Sequence, residues 1–517
     1  MVEHYKNLIR AFRQWRLDPN ERAFIRDSPF TANANVSDRK KIILIQMPMD
    51  YFYVASFSLQ GQRLARQFGA IRIGLWPYVV FPFRRLAGIP LFGRAIWTCM
   101  QGVSHLLQRR KWSKVYAGIG IIGHVGLEQR GYPGKARNER NAQLICASLK
   151  SKRQLLDLVL NDVRCGDLIY DTYLRFRRHP TVNLDDPFLE YVIAQCLNAQ
   201  LRMRQYLATH DVAALLTSYV GGYVSHGIPA REALRSGVAV YAAPNNAKCL
   251  RRVEGQYPLD AGNYPEYRRE FSLLLDKPGK LAYARRELER RFSGHIDAAL
   301  LGMKSSPYAE NEHRLPAGID GVVFLHDFMD YPHCYRRMLF DDFWEWTVFT
   351  LRVIRERGLK IAVKPHPGQV PENDPFIGKL KDEFPQVTWI DPRVSNGAIF
   401  RAGIRCGISV HGTILHELAY HGIAPLAAGD NVHIAFDFVR TASTIAEYEQ
   451  LLINYKTLSV PDDVQEQVLT FYYMHNLHDD NRIELETPNL GLGELDPDSS
   501  GTLIEYLRRI GKSGQAR

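Results

Sequence analysis

The chain has 517 residues, 46% of them hydrophobic, enough to bury a large core and, by length, to build two α/β domains rather than one. A net charge of +11 and a pI near 9.2 suit an anionic partner: nucleic acid, anionic lipid, or a charged sugar nucleotide or glycan. No zinc-finger, RRM or homeodomain-like pattern occurs, which sets nucleic acid aside, and seven scattered cysteines without a CxxC pair point to reduced thiols rather than a disulfide framework.

The opening residues are charged throughout and lack an apolar h-region, so a cytoplasmic protein is expected. Residues 1–40 read as an N-terminal extension, and KIILIQ at 41–46 is the first buried strand. Alternating strands and helices over 41–250 predict a Rossmann-like N-terminal domain. Inside it, residues 75–112 interleave aromatic and apolar runs with Arg84, Arg85, Arg94, Arg109, Arg110 and Lys111. The uncharged runs are too short to span a bilayer; the mixture suits an anionic membrane interface or a buried helix with solvated arginine ends. A strand is expected at 115–118 and a long helix over about 142–163.

The stretch CGDLIYDTYLR at 165–175 carries Asp167, Asp171 and Arg175 behind a glycine turn. On a helix the two carboxylates share a face; one can serve as base or nucleophile while Arg175 holds a phosphate, or Asp171 and Arg175 simply pair. Asp167, next to the glycine, is expected to point into a cleft. A helix at 185–209 and a strand at 213–218 lead to a glycine-rich loop with His226 and then to a short helix with Arg231, both acceptor-site candidates at the carboxyl edge of a sheet.

Residues 251–317 read as a charged helical connection, and 318–460 as a second Rossmann-like domain. Its first strand ends in HDFMDYPH, placing His326, Asp330 and His333 toward an interdomain cleft, with an Asp330–His333 loop hydrogen bond as the plainer alternative. Asp341-Asp342 reads as a helix cap. Strand 360–363 ends in KPHPG, a rigid turn presenting Lys364 and His366. Helix 374–384 and strand 387–390 lead to SVHGTILHELAYHGIAPLAAG. There Ser409, His411, Gly412 and Thr413 lie at a helix start able to hold a diphosphate or phosphodiester, and Glu417 one turn on can accept from sugar hydroxyls. The plainer alternatives are a Thr413 cap and a solvated Glu417. Residues 461–517 form a helical tail.

KPHP paired with SVHGTILHELAYHGIAPLAAG resembles the C-terminal nucleotide-binding domain of GT-B glycosyltransferases, in particular the bacterial capsule and surface-polysaccharide enzymes that include the Kdo transferases. It also shares the HP feature of bacterial sialyltransferases. CGDLIYDTYLR and FLHDFMDYPHCYRRMLFDDFWEW resemble recurrent blocks of capsule-biosynthesis proteins, so the resemblance covers roughly 162–431. It implies an α/β GT-B fold, two Rossmann-like doubly wound domains facing across a cleft. A nucleotide-sugar donor, such as CMP-Kdo or a related CMP-ulosonic acid, would bind the C-terminal domain. A glycan or glycolipid acceptor would bind the N-terminal one, with no essential metal and no cofactor. By position His366 would meet the donor phosphate; Lys364 and Ser409 are donor-site candidates by their own placement at strand ends of the same domain. His411, Gly412 and Thr413 would stand in for the family's Ser-Thr or Ser-Ser loop, and Glu417 would hold the ribose. An N-domain carboxylate, Asp167 or Asp171, would be base or nucleophile. A sugar-nucleotide epimerase or a non-catalytic capsule-assembly protein are the alternatives on the same fold.

Overall fold

The computed structural model describes residues 16–31, 41–76, 106–127, 134–218, 222–243, 250–253, 264–295, 306–309, 311, 313–335, 338–478, 496 and 499–514. Most of the 75–112 stretch, and with it the membrane-interface expectation, lies outside the described residues, as do 219–221 of the glycine-rich loop.

The first eight strands are β1 (Ile42–Gln46), β2 (Ile71–Trp76), β3 (Gly123–Gly126), β4 (Val159–Leu160), β5 (Val163–Arg164), β6 (Val212–Thr217), β7 (Ala239–Ala242) and β8 (Arg251–Val253). Six of them form a sheet in the order β3-β2-β1-β6-β7-β8, parallel except for β8. β1 is buried along its whole length, as a central parallel strand must be when helices cover both faces. Ile42 and Leu44 enter one core with the helices Gly166–Arg177 and Pro187–Thr209. Ile43 and Ile45 enter the other with the helix Tyr51–Phe68. The second sheet holds β9 (Gly321–Phe324), β10 (Ile361–Lys364), β11 (Cys406–Ser409), β12 (Ala424–Ala427) and β13 (Arg440–Thr441) in the all-parallel order β10-β9-β11-β12-β13. Two doubly wound, Rossmann-like α/β units therefore make up the fold, the class expected from the sequence.

Several expectations change. Residues 106–117 are helical, burying Trp112, Val115 and Tyr116, and the edge strand is β3 instead of 115–118. The expected long helix over 142–163 breaks into the helices Lys135–Ser148 and Lys152–Leu156 and the β4-β5 hairpin. That hairpin turns on Asn161 and Asp162 at φ 49° and 63°, a left-handed conformation that Asn and Asp tolerate. The helix Tyr223–Arg235 starts early enough to take in Ser225 and His226 and to hold Pro229 in its interior. Only a single bridge, Val363 to Trp389, marks the strand expected at 387–390. The tail is divided: the helix Val464–Tyr472 packs with the connecting helix Lys277–Phe292, while Leu503 and Tyr506 of the helix Gly501–Gly514 enter the first unit's core. Among the described residues no helix is long and apolar enough to cross a membrane.

Candidate functional site

In the second sheet the order turns back between β9 and β11, and the carboxyl ends of β9, β10 and β11 open onto a cavity. Doubly wound sheets hold ligands in this crevice. His326 lines it from the end of β9, Lys364, Pro365 and His366 from the end of β10, and Ser409, Gly412 and Thr413 from β11 and its turn. Glu417 enters from the helix Ile414–Tyr420.

Lys364 is almost wholly buried, and its Nζ donates to Asn396 Oδ1 at 2.6 Å. Burial pulls its pKa down to about 8 against the opposing pull of Glu417 and Asp391. His366 Nδ1 accepts the Gly368 amide at 3.1 Å, so the neutral ring carries its proton on Nε2 and offers a donor to the cavity. Burial keeps that imidazole neutral, lowering its pKa. His326 stacks on Phe343 at 4.3 Å, and its Nε2 lies 3.1 Å from Ser409 Oγ, whose hydroxyl donates to the Phe324 carbonyl. Thr413 is exposed and its side chain makes no cap bond. Two groups absent from the sequence expectations hold Glu417: Arg291 Nη2 stands 2.7 Å from Oε1, and the Tyr308 hydroxyl donates to Oε2. Arg291 comes from the charged helix Lys277–Phe292, where its neighbours are surface residues, so nothing in that sequence distinguished it. His411 sits beside the cavity, outside its lining, packed on Tyr335 at 4.8 Å and Phe343 at 5.3 Å and hydrogen-bonded to the Pro332 backbone; burial lowers it to about 4.

The two blocks 165–175 and 324–346 meet across the units. Tyr170 donates to Asp342 Oδ2 at 2.5 Å, and Asp342 also caps its own helix, Phe343–Arg357, as expected. His333 Nδ1 donates to Asp171 Oδ1 at 2.5 Å, while its Nε2 faces the Asp341 carbonyl at 3.0 Å. Both ring nitrogens meet acceptors, so His333 is an imidazolium. Burial works against that charge, but Asp171 outweighs it and the His333 pKa is raised. Burial in turn pushes Asp171 up to about 6. Asp171 thus pairs with His333 rather than Arg175. Asp330, raised by burial and held partly down by Arg175, accepts from the Tyr223 hydroxyl at 3.3 Å rather than bonding His333.

Asp167 does not point into a cleft. Arg231 grips it with a fork, Nη1 to Oδ1 at 2.8 Å and Nη2 to Oδ2 at 2.6 Å, both residues being at most 1% exposed. Burial raises the Asp167 carboxyl, but Arg231 overrides it and the pKa is lowered. The cause is local: Gly166 is the first residue of a helix packed on the Leu155 and Leu156 carbonyls, not part of an exposed turn, so the next side chain faces inward.

The first sheet has its own reversal between β1 and β6, and polar groups gather at those strand ends. Thr217 donates to Gln46 Oε1 at 2.7 Å, Gln46 Nε2 donates to the His226 carbonyl at 3.1 Å, and His226 Nδ1 lies 2.9 Å from Gln46 Oε1. Ser218, one residue beyond Thr217, is 3% exposed, and its Oγ has no hydrogen-bond partner among the described residues. Among the described residues no group of three His, Cys, Asp or Glu side chains is placed to hold a metal ion.

No family model matches the chain, and no curated protein does. It is similar to a crystal structure of MurG from Acinetobacter baumannii at 11% identity and a TM-score of 0.25, over 86% of this chain and 97% of that one. At that distance the likeness bears on neither substrate nor mechanism.

Proposed function

We propose that this protein is a glycosyltransferase that takes a sugar from a nucleotide-sugar donor seated in the cavity at the ends of β9, β10 and β11. The observation that carries the reading is the convergence of Lys364, His366, Ser409, Gly412, Thr413 and Glu417 around one cavity at a switch point, from segments up to 53 residues apart in sequence. Transfer from a nucleotide sugar builds charge on the departing phosphate. Lys364 supplies an ammonium and His366 a neutral Nε2–H donor. Glu417, steadied by Arg291 and Tyr308, is the ribose candidate. The resemblance noted in the sequence favours a CMP-ulosonic acid donor, a capsular or surface glycan acceptor, and work at the cytoplasmic face of an anionic membrane.

A thermal-shift comparison of CMP, UDP and GDP tests this directly. The matching nucleotide at a hundredfold over its Kd should stabilise by about 2.7 kcal/mol. His366→Ala removes one donor and should weaken that nucleotide about tenfold, near 1.4 kcal/mol. An unchanged Kd would remove His366 from the site, and no shift with any nucleotide would remove the donor reading. Turnover of the sugar nucleotide without an added acceptor, returning an isomerised sugar nucleotide, would mark an epimerase instead.

A further inference from the structure

We infer that Asn396 is a positioning residue of the donor site, aiming the Lys364 ammonium at the phosphate and, through Tyr308, the Glu417 carboxylate at the ribose; the inference rests on the donor reading. Asn396 is the first residue of the helix Asn396–Arg401, lines the cavity and is 7% exposed. Its side chain does not cap that helix, because Ser395 already accepts the Ala398 amide. A buried amide that its own helix does not need must be satisfied elsewhere, and here both ends are spent on groups of the site. Asn396 Oδ1 accepts from Lys364 Nζ at 2.6 Å. That orientation turns the NH2 end to the Tyr308 hydroxyl, whose single hydrogen goes to Glu417 Oε2 and which therefore accepts from Asn396. The Asn396 backbone amide holds the same segment, donating to the Pro307 carbonyl at 2.8 Å.

The bonds thus run in one direction, from Lys364 through Asn396 and Tyr308 to Glu417, and tie the ammonium and the carboxylate of the cavity together. The Lys364 ammonium carries three N–H donors and spends one on Asn396; among the described residues the other two meet no acceptor, in a side chain 2% exposed. They are available to a phosphate at the end of β10. Burial and the Asn396 bond act oppositely on that charge: burial holds Lys364 near pKa 8, and an accepted hydrogen bond favours the ammonium. Glu417 and Asp391 favour the ammonium too, while burial keeps His326 and His366 beside it neutral.

Titrating CMP, UDP and GDP into the full chain between pH 7 and 9 tests this. Wild type should lose about tenfold in affinity for the nucleotide it prefers across that range, as Lys364 gives up its proton. Asn396→Leu removes the acceptor at similar volume and should lose about fifty-fold, the mark of a lysine whose pKa has dropped by about one. Asn396→Asp, nearly the same shape, sets a carboxylate against the ammonium and should lose no more than about twofold. A residue that only packs would not move the two profiles in opposite directions, and either variant alone carries the test should the other fail to fold. For the ribose, the same nucleotide is compared with its 2′,3′-dideoxy form. The wild-type preference for the hydroxyl-bearing form should shrink at least about threefold in Asn396→Asp, whose carboxylate competes with Glu417 for the Tyr308 hydrogen. A flat wild-type profile, variant profiles that superimpose on wild type, or an unchanged preference overturns the assignment while leaving the donor reading intact. A wild-type protein that binds none of the three nucleotides overturns both.

Discussion

A buried arginine forked onto a buried carboxylate carries a large energetic consequence at the residue scale. Arg231 is fully inaccessible, and Asp167 meets it with both oxygens. Asp167→Asn would leave the guanidinium charge uncompensated inside the first unit, and removing one partner of a buried pair costs about 3–5 kcal/mol. Urea denaturation should show that loss, and replacing both residues, Asp167→Leu with Arg231→Met, should recover most of it, because an apolar pair of similar volume needs no desolvation. A single-mutant loss under about 1 kcal/mol would mean the pair carries little of the fold. For activity assays the consequence is practical: a dead Asp167 variant is first a destabilised one. The sequence showed the acidic and basic residues of this block but not their pairing, since Asp167 and Arg231 stand 64 positions apart and only the fold joins them.

At the scale of elements, the strand ends that carry the cavity were legible because a buried parallel strand is a short apolar run and the polar residue after it marks its carboxyl end. VVFL before His326, IAV before Lys364 and GISV before His411 all follow that pattern. Elements whose apolar residues serve two neighbours were not legible. Val115 and Tyr116 look like a strand but fill one face of a helix. The 142–163 stretch kept helical periodicity across a break that Asn161 and Asp162 mark only locally. Gly166 is the packing contact that sets the helix of Asp167 and Asp171. A Cβ there would lie 1.9 Å from the Leu155 carbonyl oxygen and 2.5 Å from that of Leu156, so backbone must move. Gly166→Ala should therefore lose about 1–3 kcal/mol, the usual penalty of overpacking. Gly378, inside the helix Asp374–Glu383, has nothing within 4 Å of such a Cβ, and Gly378→Ala should gain roughly 0.5–1 kcal/mol from helix propensity alone. Chemical denaturation of the two variants should move in opposite directions; a parallel loss would mean Gly378 has an undetected packing role.

For the whole molecule, buried histidines decide how stability follows pH. Burial holds His226 and His411 near pKa 4 and His433 near 3, and lowers His326, His416 and His475 well below the ordinary value. Their folded pKa lies under the unfolded value of about 6.5, so below that pH the unfolded chain binds more protons and stability falls as pH drops toward 4. Each such histidine contributes about 1.4 kcal/mol per pH unit, so the three with the values above supply a slope near 4 kcal/mol per unit. The Asp171–His333 pair between the units acts oppositely. Asp171, raised to about 6, makes the folded state bind more protons between roughly pH 4 and 6, but as one group against several it cannot reverse the slope. His333 has a raised folded pKa, so its contribution is complete below about pH 6.5 and is lost as pH rises through that pKa. Stability should then climb steeply from pH 4.5 to 6.5, peak near neutrality and decline on the alkaline side as the interunit imidazolium loses its proton. Melting temperatures across pH 4.5–8, below the range where the buried thiols titrate in the unfolded chain, should share the acid limb for wild type and His333→Asn, with the alkaline decline present only in wild type. A wild-type profile flat between pH 4.5 and 6.5 would contradict the neutral buried histidines, and an alkaline decline that survives His333→Asn would place its cause outside the contact between the two units.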